Sequence, residues 1–144
     1  MSQSEYDALK LENQLCFPLY AAAREVVKRY RPYLDELDLT YTQYISMMVV
    51  WEEKEITVKA LGEKLFLDSG TMTPVLKSLE AKGYVTRKRS TADERSVSVF
   101  LTEKGEALKQ RAADVPAKVA GCIKLDADEA IKLYEILYKI LKTE

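Results

Sequence analysis

The stretch that decides the fold runs from Val58 to Leu101 and reads VKALGEKLFLDSGTMTPVLKSLEAKGYVTRKRSTADERSVSVFL. Val58, Leu61 and Leu65 recur at spacings of three and four, the pattern of an amphipathic helix. A break follows at Phe66 to Gly70, and Met72, Val75, Leu76 and Leu79 then mark a second helix. Lys82 and Gly83 close it, with a cation and a glycine where a helix C-terminus favours them. Tyr84 to Arg89 and Val97 to Leu101 are β-rich runs, the second alternating Val97, Val99 and Leu101 inward against Ser96, Ser98 and Phe100 outward. The polar link Ser90 to Arg95 is longer than a tight hairpin needs. Helix, turn, helix and two-stranded ribbon is the order of a winged helix-turn-helix. Just ahead of it, Glu55-Ile56-Thr57 reads as a short strand or a cap.

The second helix has two unlike sides. Ser69, Gly70, Thr71, Thr73 and Lys77 lie opposite Met72, Val75, Leu76 and Leu79, and Pro74 falls near the first turn, where a missing backbone donor costs least. Small polar residues at the start of a helix allow close approach to a major groove. Hydroxyls there can bond phosphates or base edges, and Lys77 can meet a phosphate. In the ribbon, Arg87, Lys88, Arg89 and Arg95 stand where a wing would follow the backbone or enter a narrow minor groove. The net charge of the chain is −1, but Thr57 to Thr102 hold eight Lys/Arg against five Asp/Glu, so the positive charge is concentrated in this segment. A solvated hairpin with ordinary surface charge is the plain alternative. Element order, local charge and a dimer signal agree on double-stranded DNA.

Working outward, Leu15, Leu19, Ala22 and Val26 form one helical stripe, and Cys16, Tyr20, Ala23, Val27 and Tyr30 an adjoining one. Arg31-Pro32 is the expected end of this helix. Pro18 either kinks it or starts it. The upstream periodicity through Leu9, Leu11 and Leu15 favours the kink. Thr40 can cap a second helix running to about Trp51, expected to be buried almost all round. After the ribbon, Thr102 opens a long helix to about Cys122, and a last helix runs from Asp126 to about Lys142. In that last helix Asp128, Lys132, Glu135, Lys139 and Lys142 form a narrow polar stripe, and the rest is apolar. So wide an apolar face predicts dimerisation. The expected fold is mainly α with a small β-wing (α+β). It is one domain over 1–144, with dimerisation helices at 1–54 and 103–144 flanking a winged helix-turn-helix at 55–102.

Composition narrows the chemistry. The chain has 144 residues, 47% hydrophobic and 31% charged, the balance of one globular domain with a real core. It contains no histidine, which excludes Ser-His-Asp and Cys-His arrangements and every histidine-containing metal site. Its two cysteines, Cys16 and Cys122, cannot build a structural zinc site alone, and no cofactor is expected. Met1 to Glu12 have no apolar h-region, and the longest apolar stretch, Tyr44 to Trp51, is far short of a span. No membrane role is expected, and the expected compartment is the cytoplasm. A thiol peroxidase would need a polarising group at the thiol. Arg24 is about 12 Å along the helix from Cys16, so an enzyme is not expected.

These residues resemble a known family. Leu61 to Leu65, Leu67 to Lys77 and the wing Asp93-Glu94-Arg95-Ser96-Val97 resemble the MarR family of dimeric winged-helix repressors. Lys10 to Phe17, Tyr30-Arg31-Pro32 and Leu39 to Tyr44 narrow the resemblance to its organic hydroperoxide repressor (OhrR) subgroup, over the chain to about Lys124. The resemblance implies a homodimer on a pseudo-palindromic operator, with Asp93 and Arg95 in the DNA-binding wing. It further implies that an organic hydroperoxide oxidises Cys16 and the operator is then released, with Tyr30 and Tyr41 as the phenols that hold the thiol. Read alone, Cys16 among aromatics is better matched by an inert core thiol; the resemblance reverses that preference. Cys16 and Tyr30 are about 21 Å apart along one straight helix, so if they meet, the tyrosine comes from the partner subunit. The subgroup has one-cysteine members, in which a low-molecular-weight thiol captures the oxidised sulfur, and two-cysteine members that close an intersubunit disulfide. Cys122 suits the second kind or is a small apolar packing residue. A different reading is a ligand-responsive MarR-type repressor in which Tyr20, Tyr30, Tyr41 and Tyr44 line a pocket for a phenolic or aromatic compound and Cys16 is incidental.

Overall fold

A computed structural model describes residues 5–89 and 96–142. Two 3-10 turns, Asp7–Leu9 and Leu11–Asn13, lead into helix α1 (Cys16–Asp35) and α2 (Tyr41–Glu53). Strand β1 (Glu55–Thr57), α3 (Val58–Leu65), α4 (Ser69–Ala81), β2 (Val85–Arg89) and β3 (Val97–Leu101) follow. The chain continues through α5 (Glu103–Ala112), α6 (Val115–Ala120) and α7 (Ala127–Leu141). The winged helix-turn-helix order is therefore present. No helix among the described residues is long and apolar enough to cross a membrane.

Each helix of the central unit begins on a side-chain cap. The Thr57 hydroxyl accepts from Ala60 N at the start of α3, and the Asp68 carboxylate accepts from Thr71 N at 2.7 Å at the start of α4. That bond holds the Asp68 carboxyl below its ordinary range. Gly62 lets α3 pass beneath the turn that begins α4, since a Cβ there would stand 2.6 Å from the Leu67 carbonyl oxygen. Gly83, at φ 85°, takes the left-handed position that ends α4. Met47 and Val50 of α2, Leu61 of α3, Met72, Leu76 and Leu79 of α4, and Val99 of β3 are fully buried together. Burying each such side chain contributes about 1.5–3 kcal/mol. The Trp51 indole N–H donates to the Gly105 carbonyl at 2.8 Å and ties α2 to α5.

Five expectations are corrected. The wing is a three-stranded antiparallel sheet in the order β1-β3-β2, with Ile56 opposite Val99 and Val85 opposite Leu101, rather than a two-stranded ribbon. Pro18 starts α1 and does not kink it: as the third helical residue it needs no intrahelical donor, whereas a helix through Leu15 would press its ring on the preceding turn. Upstream, the Gln14 amide instead donates to the carbonyls of Ala8 and Lys10. Helix α1 continues past Pro32 to Asp35, because one lost bond near its end is offset by burial of Leu34. The expected single helix from Thr102 to Cys122 is two, since Pro116 cannot donate back to the end of α5 and fits only the first turn of α6. Helix α2 is less enclosed than expected: Met48 is exposed and Tyr41, Ile45 and Val49 are half-buried. The link Ser90 to Arg95 lies outside the described residues.

Two stretches show apolar side chains to solvent. Leu15, Phe17, Leu19, Tyr20 and Val27 of the α1 region are exposed. In α7 no residue is buried, and Ile131, Leu133, Tyr134, Ile136, Ile140 and Leu141 are exposed. Helix α7 nevertheless begins on a full capping box, Asp126 with Glu129, so its helicity is locally specified.

Candidate nucleic-acid interface and thiol sites

Helix α4 divides as its sequence divides. Ser69, Gly70, Thr71 and Lys77 are exposed, while Met72, Leu76 and Leu79 on the other side are fully buried. Thr73 is half-buried, and its hydroxyl donates to the Ser69 carbonyl at 2.8 Å, leaving an acceptor lone pair outward. The N-terminal turn of α4 thus offers hydroxyls and one glycine at one surface, which suits close approach to phosphate oxygens and base edges.

Arg87 has an intramolecular partner. Its Nη2 lies 3.0 Å from Glu80 Oε1, its Nε donates to the same oxygen at 3.3 Å, and its backbone N–H donates to Glu80 Oε2 at 3.0 Å. These bonds lower the Glu80 pKa below the usual carboxylate range. The pair links strand β2 to α4. Arg89 is exposed at the end of β2, on the same face as Val85 and Arg87, and Lys88 on the other face lies over the Phe100 ring. Asp93 and Arg95 lie outside the described residues.

The thiols occupy opposite ends of α1. Cys16 is its first residue and is exposed, flanked by exposed Leu15 and Phe17. Tyr30 packs on Tyr41 of α2 with ring centroids 4.9 Å apart, and Tyr44 completes the cluster at 5.7 and 6.3 Å. Burial raises the pKa of Tyr30 and Tyr41 and pushes Tyr44 up to about 12, so all three phenols stay protonated and able to donate near neutrality. The cluster stands about 21 Å along α1 from Cys16, and the chain does not bring them together. Within one protomer Tyr20 lies apart from this cluster, its ring under Arg24 at 5.2 Å.

Cys122 is half-buried in the turn after α6. Its thiol donates to the Lys118 carbonyl at 3.6 Å and lies 3.9 Å from the Tyr33 hydroxyl, a contact that raises the Tyr33 pKa. Its carbonyl accepts from Arg29 Nη1 at 2.8 Å. Arg29 and Tyr33 lie about 20 and 25 Å along α1 from Cys16, too far for a disulfide within one chain. Sequence reading missed the Tyr33 and Arg29 contacts, which join residues some ninety positions apart.

The winged-helix fold is shared with known transcriptional regulators. Residues 28–112 match a family model described as transcriptional regulator SarA/Rot. The chain is 49% identical to the organic hydroperoxide resistance transcriptional regulator of Bacillus subtilis, over 98% of this chain and 96% of that one. Among solved structures it resembles overoxidised AbfR bound to DNA, with 35% identity, a TM-score of 0.76 and 94% and 96% of the two chains covered; AbfR is from Staphylococcus epidermidis and is also known in a disulfide form. It likewise resembles a cysteine-to-serine mutant of MarR from E. coli complexed with operator DNA, at 26% identity, a TM-score of 0.78 and coverage of 96% and 99%.

Proposed function

The chain belongs to the SarA/MarR-type family of winged-helix transcriptional regulators, and from that premise we propose that it is a homodimeric repressor that an organic hydroperoxide switches off through Cys16. In this reading Ser69, Gly70, Thr71, Thr73 and Lys77 of α4 enter the major groove of a pseudo-palindromic operator, and Arg89, Asp93 and Arg95 form the wing contact. Arg87 anchors the wing through Glu80. The proposed compartment is the cytoplasm, where a bacterial operator would be met.

The observation that carries the sensor reading is the position of Cys16: exposed, first in α1, among exposed apolar side chains that admit an organic peroxide. The Cys16 sulfur attacks the terminal peroxide oxygen, the O–O bond breaks, the sulfur becomes a sulfenic acid and the organic part leaves as an alcohol. Tyr30 and Tyr41, protonated donors a helix length away, reach that sulfur from the partner subunit. The exposed faces of α1 and α7 are the apolar surface on which such a partner packs. The sulfenic acid is then attacked by the Cys122 thiol of the partner subunit, releasing water and closing a disulfide between chains. A low-molecular-weight thiol does the same where Cys122 is replaced.

A ligand-gated repressor without a thiol role is less well supported, because the relative 49% identical over nearly the whole chain is an organic hydroperoxide resistance regulator. Operator binding by wild type and Cys16→Ser, each with and without cumene hydroperoxide, tests the proposal. Release of the wild type only is expected, and equal release of both proteins contradicts it.

A further inference from the structure

Gln43, in the first turn of α2, lies outside both candidate sites and is 7% exposed. Its backbone N–H donates to the Thr40 hydroxyl at 3.2 Å and its Oε1 accepts from Thr40 N at 3.0 Å, which closes the capping box of α2. The same amide then crosses to α4. Its Nε2 donates to the Ser78 hydroxyl at 2.9 Å, and its Oε1 also accepts from Lys82 Nζ at 3.2 Å. Lys82, the residue that ends α4, donates in addition to the Asp38 carbonyl and stands 3.6 Å from the Asp38 carboxylate. Asp38 holds a φ of 55°, so Lys82 grips the α1–α2 corner at its one left-handed residue.

Apolar contact between α2 and α4 resists separation but is non-directional, and by itself it tolerates small sliding and rotation. Directional bonds from a buried amide fix the register of one helix on the other. Three of the four hydrogen-bonding positions of the Gln43 side chain are filled, two of them by α4 and its end. We propose that Gln43, with Ser78 and Lys82, is a positioning joint that sets the angle at which α4 is presented to DNA. Tyr41, two residues earlier in the same turn, packs on Tyr30, so a shift of the tyrosine cluster reaches α4 through this joint. The inference rests on the reading of α4 as the DNA-reading helix.

The test uses Ser78→Ala/Lys82→Met, which cuts both ties to α4 and leaves the α2 cap intact, and Gln43→Glu, which keeps the cap acceptor, pairs with Lys82 and can accept from the Ser78 hydroxyl. Binding is measured on an operator selected in vitro and on versions with half-site spacing changed by one base pair. The double variant is expected to bind its operator roughly tenfold more weakly, with an unchanged salt slope and with reduced discrimination between spacings. Gln43→Glu is expected to bind and discriminate as wild type does. Wild-type affinity and spacing preference in the double variant overturn the joint, provided Lys77→Ala in the same assay weakens binding. If Lys77→Ala is also silent, the assignment of α4 has failed and the joint falls with it.

Discussion

The central unit from Glu55 to Leu101 and the outermost stretches of the chain, the start of α1 and the whole of α7, are built to different standards of completeness. In the first, α4 turns Met72, Leu76 and Leu79 into a closed core and every described helix start finds its cap. In the second, α7 is well capped yet buries no residue, and the start of α1 leaves Leu15, Phe17 and Leu19 in solvent. In the proposed reading, one chain finishes its DNA-reading unit by itself, whereas its sensing and spacing unit is finished only by a second copy. A switch profits from that division, because changing the joint between two copies moves two rigid readers without unfolding either.

The largest effect should come from breaking the unfinished region. Ile136→Glu/Ile140→Glu places two carboxylates on the exposed apolar face of α7. Sedimentation should show a monomer, and operator affinity should fall by about 10²–10⁴-fold, because two half-sites are no longer bound together. Far-UV dichroism should stay near wild type. In the finished region the opposite pattern is expected: Leu76→Ala should cost about 2–5 kcal/mol in urea unfolding, with dimerisation retained by whatever remains folded.

Next in size is a contrast within the reading unit. Lys77→Ala removes an exposed charge and should flatten the salt dependence of operator binding by about one unit. Arg87→Ala removes the Glu80 partner and loosens the wing, so affinity should drop roughly several-fold with little change in salt slope. Identical salt slopes for the two variants would break the distinction between a phosphate contact and an anchor.

The smallest effect concerns pH. The folded-state pKa of Glu80 is lowered, so the stability it confers is present above the ordinary carboxylate range and is lost as pH falls through the lowered value. Acid unfolding of Glu80→Gln should lack that part of the pH dependence while matching the wild-type slope elsewhere. An identical acid profile would show that the Glu80–Arg87 pair does not hold the wing.

Most of the reading unit was legible in the sequence because its signals are local. Val58, Leu61, Leu65 and then Met72, Leu76, Leu79 carry a helical period, Gly83 stops it, and Val97, Val99, Leu101 change it to a period of two. What was not legible is non-local or a contest between two local rules. Pairing of Ile56 with Val99 joins residues that no periodicity relates. At Pro18, the apolar spacing of Leu9, Leu11 and Leu15 imitated a helix that the proline excludes, and Pro116 divided a segment whose composition reads as continuous. The candidate role of Cys16 was suggested only by resemblance. Read alone, its aromatic surroundings favoured a buried core thiol, whereas Cys16 is exposed at the first position of α1.

The central claim, that Cys16 is served by tyrosines of the other subunit, is tested most directly in a heterodimer of a Cys16→Ser chain with a Tyr30→Phe/Tyr41→Phe chain. If the site is built across the interface, this heterodimer holds one complete site, and its single reactive Cys16 should be oxidised by cumene hydroperoxide at the wild-type rate per site. If Cys16 uses tyrosines of its own chain, no complete site exists. Oxidation as slow as in the Tyr30→Phe/Tyr41→Phe homodimer would contradict the account.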